Sequence, residues 1–401
     1  MHLTKEEQAI FDGHQGEGAS IALKILVGIG RVFDAPRLVP IRRAHVALSN
    51  QEGDTWFAEK LQKAGAKCLI PPTVNPGYCM DVFLSKGLLS NEDIDAMQRC
   101  HEAYKNLGAQ MNYSCTPHLL ENAPFFGEVV AYSESSATVF VNSVCGARSN
   151  RESSQSALCA AIVGRVPEYG LLLEENRRAQ ALIEVEADLC DDFYYSILGW
   201  LTPKKIDNLI PVYSGIKERP TPEALMNLGT ELNVTGAIPM FHVTGFTPEA
   251  PSEEAALGGR EPKLRIKITN SDITNQLDSM FQPPGPIDFV IFGCPHYTLN
   301  QVKKIAALVE GNKVKTELWI LTSFHTLEMA RRTGLLEIIE KAGGQIVPDT
   351  CVDQSCWRHL AGKVGATDSP KCAYYCNIRD MSFIVRSLRE CVEGAVRGEI
   401  R

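Results

Sequence analysis

The chain predicts an α/β fold built from parallel β/α units and divided among several subdomains. Three observations carry this. The 401 residues exceed what one ordinary core encloses. The C-terminal third alternates short apolar strands with helical periods, as parallel β/α successions do. Proline and glycine break the chain at residues 246–262 and again at Pro283-Pro284-Gly285-Pro286. The expected division is an N-terminal α/β region at residues 1–262, itself two subdomains, and a C-terminal α/β domain at 263–401.

In chain order, Thr4 followed by Glu7 predicts a capped first helix. Gly13, Gly16 and Gly18 precede an apolar helix over Ala19–Val32. A glycine-rich turn there either cradles an anion on exposed N–H groups or serves close packing. Arg43–Ser49 predicts a strand, Asp54–Ala64 a helix with Trp56, Phe57, Ala58 and Leu61 on its apolar side, and Lys67–Pro71 a short strand. Past the second proline cluster come a strand over Ile287–Gly293, a helix over Leu299–Glu310, a strand over Glu317–Leu321, a helix over Leu327–Ala342 broken near Gly334, and a strand over Gln345–Val347. Such parallel strands are covered by helices on both faces.

The net charge of −8 and the absence of any Lys/Arg block argue against nucleic-acid binding. Ile21–Ile29 is short and carries Lys24, so no membrane span is expected. The polar N-terminus predicts no secretory leader and a cytoplasmic location. Thirteen cysteines, an odd number in a long chain, are read as free thiols. Cys68, Cys79, Cys100, Cys145, Cys159, Cys190 and Cys391 are expected in cores or interfaces.

Ligands of open parallel sheets bind beyond the carboxyl ends of the strands. There the sequence places Cys294-Pro-His296, Thr322-Ser323 and Asp349-Thr-Cys351. Cys115, in Cys115-Thr-Pro-His118, repeats the form of Cys294-Pro-His296. Three thiolates from separate loops, Cys115, Cys294 and Cys351, suit a catalytic iron centre with one open position. His118 and His296, which follow two of these cysteines, are the acid–base candidates. Structural zinc on Cys351, Cys356, Cys372, Cys376 and His359 ranks below iron. A Cys372/Cys376 thiol oxidoreductase ranks lower again, since no Cys-x-x-Cys supports it.

The run from Tyr132 to Glu152 is dense in hydrogen-bonding side chains. Within it Asn142, Ser143, Arg148, Asn150 and Arg151 are candidates for gripping a small anionic substrate, because arginine presents a fork matched to carboxylate or phosphate. Ion pairs with Glu134 and Glu152 are the plainer alternative.

The same run, Ser-Glu-Ser-Ser-Ala followed by Asn142-Ser-Val-Cys-Gly-Ala-Arg148-Ser-Asn150-Arg151-Glu152, resembles the signature of the aconitase X family. The likeness extends from Gly13 to Lys371 and is to the family's large subunit. It implies an aconitase-like multi-subdomain α/β architecture lacking the swivel domain. It implies a hydro-lyase (dehydratase) acting on a small hydroxy acid, with a cis-3-hydroxy-L-proline-like substrate favoured. A mevalonate 5-phosphate dehydratase large subunit, or a non-catalytic cluster or RNA-binding relative, are the alternatives. It implies a 4Fe-4S or 2Fe-2S iron-sulfur cluster or a mononuclear iron on Cys115, Cys294 and Cys351. The partner it implies is a small swivel-domain subunit supplying the catalytic serine, in a heterodimer. That subunit is expected in the cleft between the region before Phe246 and the part after Pro262. Were the chain active alone, Ser143 or Ser369 would be the base. Thr367-Asp-Ser369-Pro-Lys371 resembles the family's Thr-x-Ser-x-Lys pattern, usually with Asn second, and implies an anion contact for Ser369 and Lys371. Ser153-Ser154, Val352-Asp353, Thr73-Val-Asn75-Pro-Gly and His118 depart from the family pattern.

Overall fold

Thr4 and Glu7 form a reciprocal capping box at the start of the helix Lys5–Phe11. Gly18, in the first turn of the helix Glu17–Val32, lies so close to Ala66 that an added Cβ would stand 2.6 Å from the Ala66 Cβ. Gly18 therefore serves close packing between this helix and the turn after Glu52–Lys63, whereas a Cβ at Gly13 or Gly16 would meet nothing within 4 Å. These details come from a computed structural model that describes residues 1–48 and 51–401.

Among the described residues the strands fall into three parallel sheets and one small antiparallel pair. In the first sheet Arg43–Val46 lies between Thr73–Val74 and Val130–Tyr132. The strand expected over Lys67–Pro71 is displaced to Thr73–Val74; His45 pairs with Thr73 and Val46 with Val74. Residues 67–71 instead bond as a loop, Cys68 to Leu107 and Ile70 to Ala161. The described part of the strand expected over Arg43–Ser49 ends at Val46, and Ser49 lies outside the described residues.

The second sheet has the order His242–Val243, Pro211–Ser214, Ala181–Val185, Leu264–Ile268. Ala181 through Val185 pair along their length with Leu264 through Ile268. This corrects the boundary expected at 262/263. Residues 264–268 complete the middle sheet, and the break falls at the later proline cluster.

The third sheet has five strands, ordered Gln345–Pro348, Glu317–Thr322, Phe289–Tyr297, Val364–Thr367, Ser382–Val385. The order reverses beside Phe289–Tyr297, the position where doubly wound sheets open a crevice. That strand is longer than its sequence pattern suggests, and its register against Glu317–Thr322 jumps between Phe292 and Tyr297. Gly293 sits at the jump with φ 100°, and a Cβ there would stand 2.1 Å from the Leu321 carbonyl oxygen. Only glycine fits, and the resulting bulge turns Cys294 out of the ladder. The helix expected over Leu327–Ala342 is two helices, Phe324–Arg332 and Leu335–Ala342, divided at the left-handed Gly334.

Separate apolar cores lie under the first sheet and on the outer side of the third. The largest core joins the middle unit to the inner face of the third sheet. Among the described residues no helix is long and apolar enough to cross a membrane.

Candidate active site

The carboxyl ends of the first and third sheets meet at one cavity of about 530 Å³. From the first sheet come Ala47, Asn75 and the turn Ser133-Glu134-Ser135; from the third, Cys294, His296, Cys351 and Lys371. Cys115 joins from the loop after Tyr113. No residue of 179–278 lines the cavity. The cavity therefore lies between the first sheet, which precedes Phe246, and the third, which follows Pro262.

The three thiols Cys115, Cys294 and Cys351 are thus brought to one place from three loops. The Cys115 sulfur accepts a hydrogen bond from the His296 N–H at 3.2 Å, and the Cys351 sulfur one from the Asp353 N–H at 3.5 Å. Burial pushes all three thiols up, Cys351 to about 12. Among the described residues no three His, Cys, Asp or Glu side chains converge closely enough to hold a single metal ion.

Beside the thiols is a buried ion pair. Lys371 Nζ donates to Glu134 Oε1 at 3.0 Å and to Ser135 Oγ at 2.8 Å, with both charged side chains about nine-tenths buried. Glu134 caps the helix Ser135–Ser143, where the positive end of the dipole favours its charge. Burial opposes that charge, but the Lys371 ammonium, Asn75 and Ser136 overcome it and hold the carboxyl well below its usual range. Behind Glu134 runs a polar chain. Asn75 Nδ2 donates to Glu134 at 2.7 Å, and Asn75 Oδ1 accepts from His45 Nε2 at 2.7 Å. His45 Nδ1 is 2.8 Å from the Thr73 hydroxyl, which completes its tautomer. Burial lowers His45 to about 4, so this ring is neutral. His45, which reads from the sequence as a packing residue, therefore fixes the amide that fixes the carboxylate.

The middle unit supports this pair from outside the cavity. Glu231, on Pro222–Gly236, accepts the Lys371 backbone N–H at 3.0 Å, and Asn233 donates to the Ser135 carbonyl at 3.1 Å. Two further cations stand at the cavity, each already held. Arg358 Nη1 donates to Asp93 at 2.5 Å, and Arg379 Nε to Asp353 at 3.1 Å.

The other candidates lie elsewhere. Later in the Tyr132–Glu152 run, the five candidates from Asn142 to Arg151 bond to the scaffold. Asn142 is fully buried; it donates to the Ser149 and Pro239 carbonyls and accepts from the Ser149 N–H. Ser143 Oγ accepts from the Phe241 N–H at 2.9 Å. Asn150 donates to the Tyr169 carbonyl and accepts from the Leu171 N–H. Arg148 binds the Leu172 carbonyl and Glu174, and Arg151 reaches the Ala237 carbonyl at 3.4 Å. None of these five lines the cavity. Asn142 is also bound by Arg177, 1 % exposed, which ties the Asn142 and Leu171 carbonyls to Glu249. This part of the run therefore bolts the first unit to the middle one, and Asn142, Ser143, Arg148, Asn150 and Arg151, expected to grip substrate, bond instead to backbone carbonyls, backbone N–H groups and Glu174.

Ser369 also lies off the cavity. Its hydroxyl caps the helix Pro370–Cys376 and donates to the Cys294 carbonyl at 2.5 Å, so it holds the backbone of a cysteine instead of an anion. His118 is buried, stacked on Phe140 at 4.5 Å, and lowered by burial to about 3. It is off the cavity, and neither ring nitrogen has a protein partner. His296 lines the cavity, and its Nε2 donates to the Thr350 carbonyl at 2.9 Å. Thr322 and Ser323 bond to the Tyr297 carbonyl and to their own helix start. Cys372 and Cys376 are fully buried, while Cys190, expected in a core or interface, is exposed.

Sequence reasoning missed Glu134 as a site residue, together with Asn75, Ser135, Arg358 and Arg379. The available signal for the first and third was the Ser-Glu-Ser-Ser-Ala segment itself, directly after an apolar strand.

Comparison with known proteins places this arrangement among relatives. Residues 1–175, 179–278 and 287–397 match the family models Aconitase X first domain, Aconitase X second domain and Aconitase X third domain. The chain is 35 % identical over 387 residues to the phosphomevalonate dehydratase large subunit of Methanocaldococcus jannaschii, covering 94 % of this chain and 95 % of that protein. It is 34 % identical over 414 residues to the cis-3-hydroxy-L-proline dehydratase of Pseudomonas aeruginosa, covering 98 % of this chain and 69 % of that longer protein. The crystal structure of Thermococcus kodakaraensis aconitase X in its holo-form superposes with a TM-score of 0.90 at 34 % identity, covering 98 % of this chain and all of that one.

Proposed function

This chain belongs to the aconitase X family and is a hydro-lyase of that family, and we propose that its substrate is a zwitterionic 3-hydroxy amino acid of the cis-3-hydroxy-L-proline kind, dehydrated at the cavity between the first and third sheets. The observation that carries the substrate class is the charge balance. The cavity is lined by Glu92, Asp93, Glu134 and Asp353 against Lys371, Arg358 and Arg379, so carboxylates outnumber cations four to three. Each cation is paired: Lys371 with Glu134, Arg358 with Asp93, Arg379 with Asp353. A substrate carrying both a phosphate and a carboxylate would bring several uncompensated negative charges here. An amino acid brings none in sum, and its ammonium suits the acidic excess.

Lys371 has three N–H donors and uses two within the chain. The third is available to a substrate carboxylate. Glu134, Asn75, His45 and Thr73 hold that ammonium in place without reorganisation during turnover. His296 donates through Nε2 to Thr350, so its Nδ1 carries a lone pair with no partner in the chain, free to accept a hydrogen bond.

Cys115, Cys294 and Cys351 are the residues that would hold an iron centre. Thiols spread around a cavity, two of them receiving backbone N–H groups, suit a cluster spanning its ligands better than a lone ion. Such a centre supplies Lewis acidity toward a leaving hydroxyl. The relatives named as large subunits point to a second polypeptide. In our reading it is a small swivel-domain subunit that closes the cavity and contributes the serine removing the proton next to the carboxylate. Closure excludes water, and that strengthens the charged contacts inside.

The deciding experiment pairs this chain with its small subunit, loads iron anaerobically, and assays cis-3-hydroxy-L-proline beside mevalonate 5-phosphate. Water loss from the hydroxy amino acid and none from the phosphate ester supports the reading. The reverse preference refutes the charge argument. A protein that takes up no iron refutes the cysteine assignment.

A further inference from the structure

The segment after Cys351 forms one wall of the cavity and hangs from two anchors on the first unit. The first anchor is backbone. The Cys351 N–H donates to the Gly77 carbonyl at 3.0 Å, and the Cys79 N–H donates to the Thr350 hydroxyl at 2.9 Å. The second is a single carboxylate. Asp93, 5 % exposed in the helix Asn91–Leu107, accepts from Ser355 Oγ at 2.5 Å and from Arg358 Nη1 at 2.5 Å. It also accepts the Ser90 N–H at 3.0 Å and the Ser90 hydroxyl at 2.8 Å. Four donors fill a carboxylate's acceptor sites. Between the anchors the segment folds onto itself. Trp357 Nε1 donates to the Cys351 carbonyl at 2.9 Å, and its ring stands edge-on to Phe83 and Trp319. Asp353, whose N–H faces the Cys351 sulfur, lies inside this span.

We propose that Asp93 is a positioning residue for Cys351: acting through Ser355 and Arg358, it fixes the far end of the segment and so sets where that thiol and its N–H donor stand. Helix capping by Asp93 needs only Ser90. The two bonds across to the third sheet's loop serve the cavity wall.

The inference rests on the reading of Cys351 as a metal ligand, so its test has one arm that is independent of metal. In the reduced, metal-free chain, maleimide labelling of each cysteine is followed by peptide mass spectrometry. Asp93→Ala is expected to raise the labelling rate of Cys351 on the order of tenfold, with Cys115 and Cys294 changing less than about twofold, because only the local restraint is lost. Asp93→Asn, which keeps one acceptor oxygen, falls between. In the second arm the anaerobically loaded complex of Asp93→Ala loses its visible absorption to a chelator on the order of tenfold faster than the unsubstituted protein. Unchanged Cys351 labelling overturns the proposal, and so does an equal rise at all three cysteines. Should Asp93→Ala fail to fold, the pair Ser355→Ala and Arg358→Ala leaves the Ser90 cap intact, and the same selective rise is required of it. If no variant or parent binds iron while labelling stays selective, the metal reading fails and the role of Asp93 stands.

Discussion

Replacing Lys371 with Met removes one member of a buried ion pair. Breaking such a pair from one side costs about 3–5 kcal/mol, because the other charge is left uncompensated. Glu134 would retain Asn75 Nδ2, Ser135 Oγ and the Ser136 N–H and hydroxyl as donors. The expected loss is therefore at the low end, about 3 kcal/mol. Glu134→Gln leaves the ammonium with the Ser135 hydroxyl and costs a similar amount. The double variant carries no charge at either position, so its loss should stay near that of one single variant, a coupling of about 2–3 kcal/mol. Urea unfolding of the full chain near pH 7 measures all three. The pH window follows from the shifts. Glu134 lies below its ordinary 4.5, so its contribution is present above that value and disappears as pH falls toward the depressed one. Lys371 lies above its ordinary 10.5, so its contribution is present below that value and disappears only at still higher pH. The coupling should therefore be constant from about pH 5 to 10. Turnover is the second readout: the double variant is no less stable than either single variant, yet does not regain dehydration. Single losses that add to within about 0.5 kcal/mol would refute the ion-pair reasoning, and recovered turnover would refute the substrate contact.

Other expectations are as direct. Serine at Cys115, Cys294 or Cys351 should each abolish iron retention measured by metal analysis, whereas Cys145→Ser, off the cavity, should not. Arg148→Met should cost about 1 kcal/mol through its lost bonds to Leu172 and Glu174 and leave KM unchanged; a tenfold rise in KM would return this arginine to the site. Asp368 is raised by burial to about 7 despite the hydroxyl of Tyr297, so folding favours its protonated form. Its stabilising effect is full below about pH 4 and is lost as pH rises to 7. Asp368→Asn should flatten the stability profile across that window in thermal unfolding. The isolated chain should be folded and inactive, with dehydration appearing on titration of the small subunit.

Much of this was legible along the chain. Parallel strands advertise their ends, and a cysteine directly after an apolar run is placed at a sheet edge whatever the intervening sequence does. That is why Cys294 and Cys351 could be brought together across more than fifty positions. The Tyr132–Glu152 run pointed to the cavity through Ser133-Glu134-Ser135 but not through Asn142 to Arg151, because donor density says nothing about direction. Asn142 and Arg148 bond to carbonyls of Ser149, Pro239 and Leu172, acceptors every residue possesses and no sequence marks. Arg177, which binds Asn142, stands outside the run. The boundary near 262 failed for a related reason: a loop rich in proline and glycine can precede the last strand of a sheet as easily as it can separate two sheets. Asp93 was illegible, since an N3 carboxylate after Ser90 reads as a helix cap and nothing more.

The supply of thiols from both halves of the cavity bears on the life of the protein before catalysis. Cys115 belongs to the part of the chain that carries the first sheet, Cys294 and Cys351 to the part made last. During synthesis the first sheet emerges and can fold while its one cysteine still lacks both companions. Iron delivered then would meet a single thiol and gain little. Only after the third sheet has formed and seated against Gly77 and Asp93 do all three thiols stand around one space. On the proposed iron reading, maturation would be ordered by topology: docking of the first and last units would precede cofactor insertion, and a chain stalled before residue 287 should emerge from an iron-replete cell colourless.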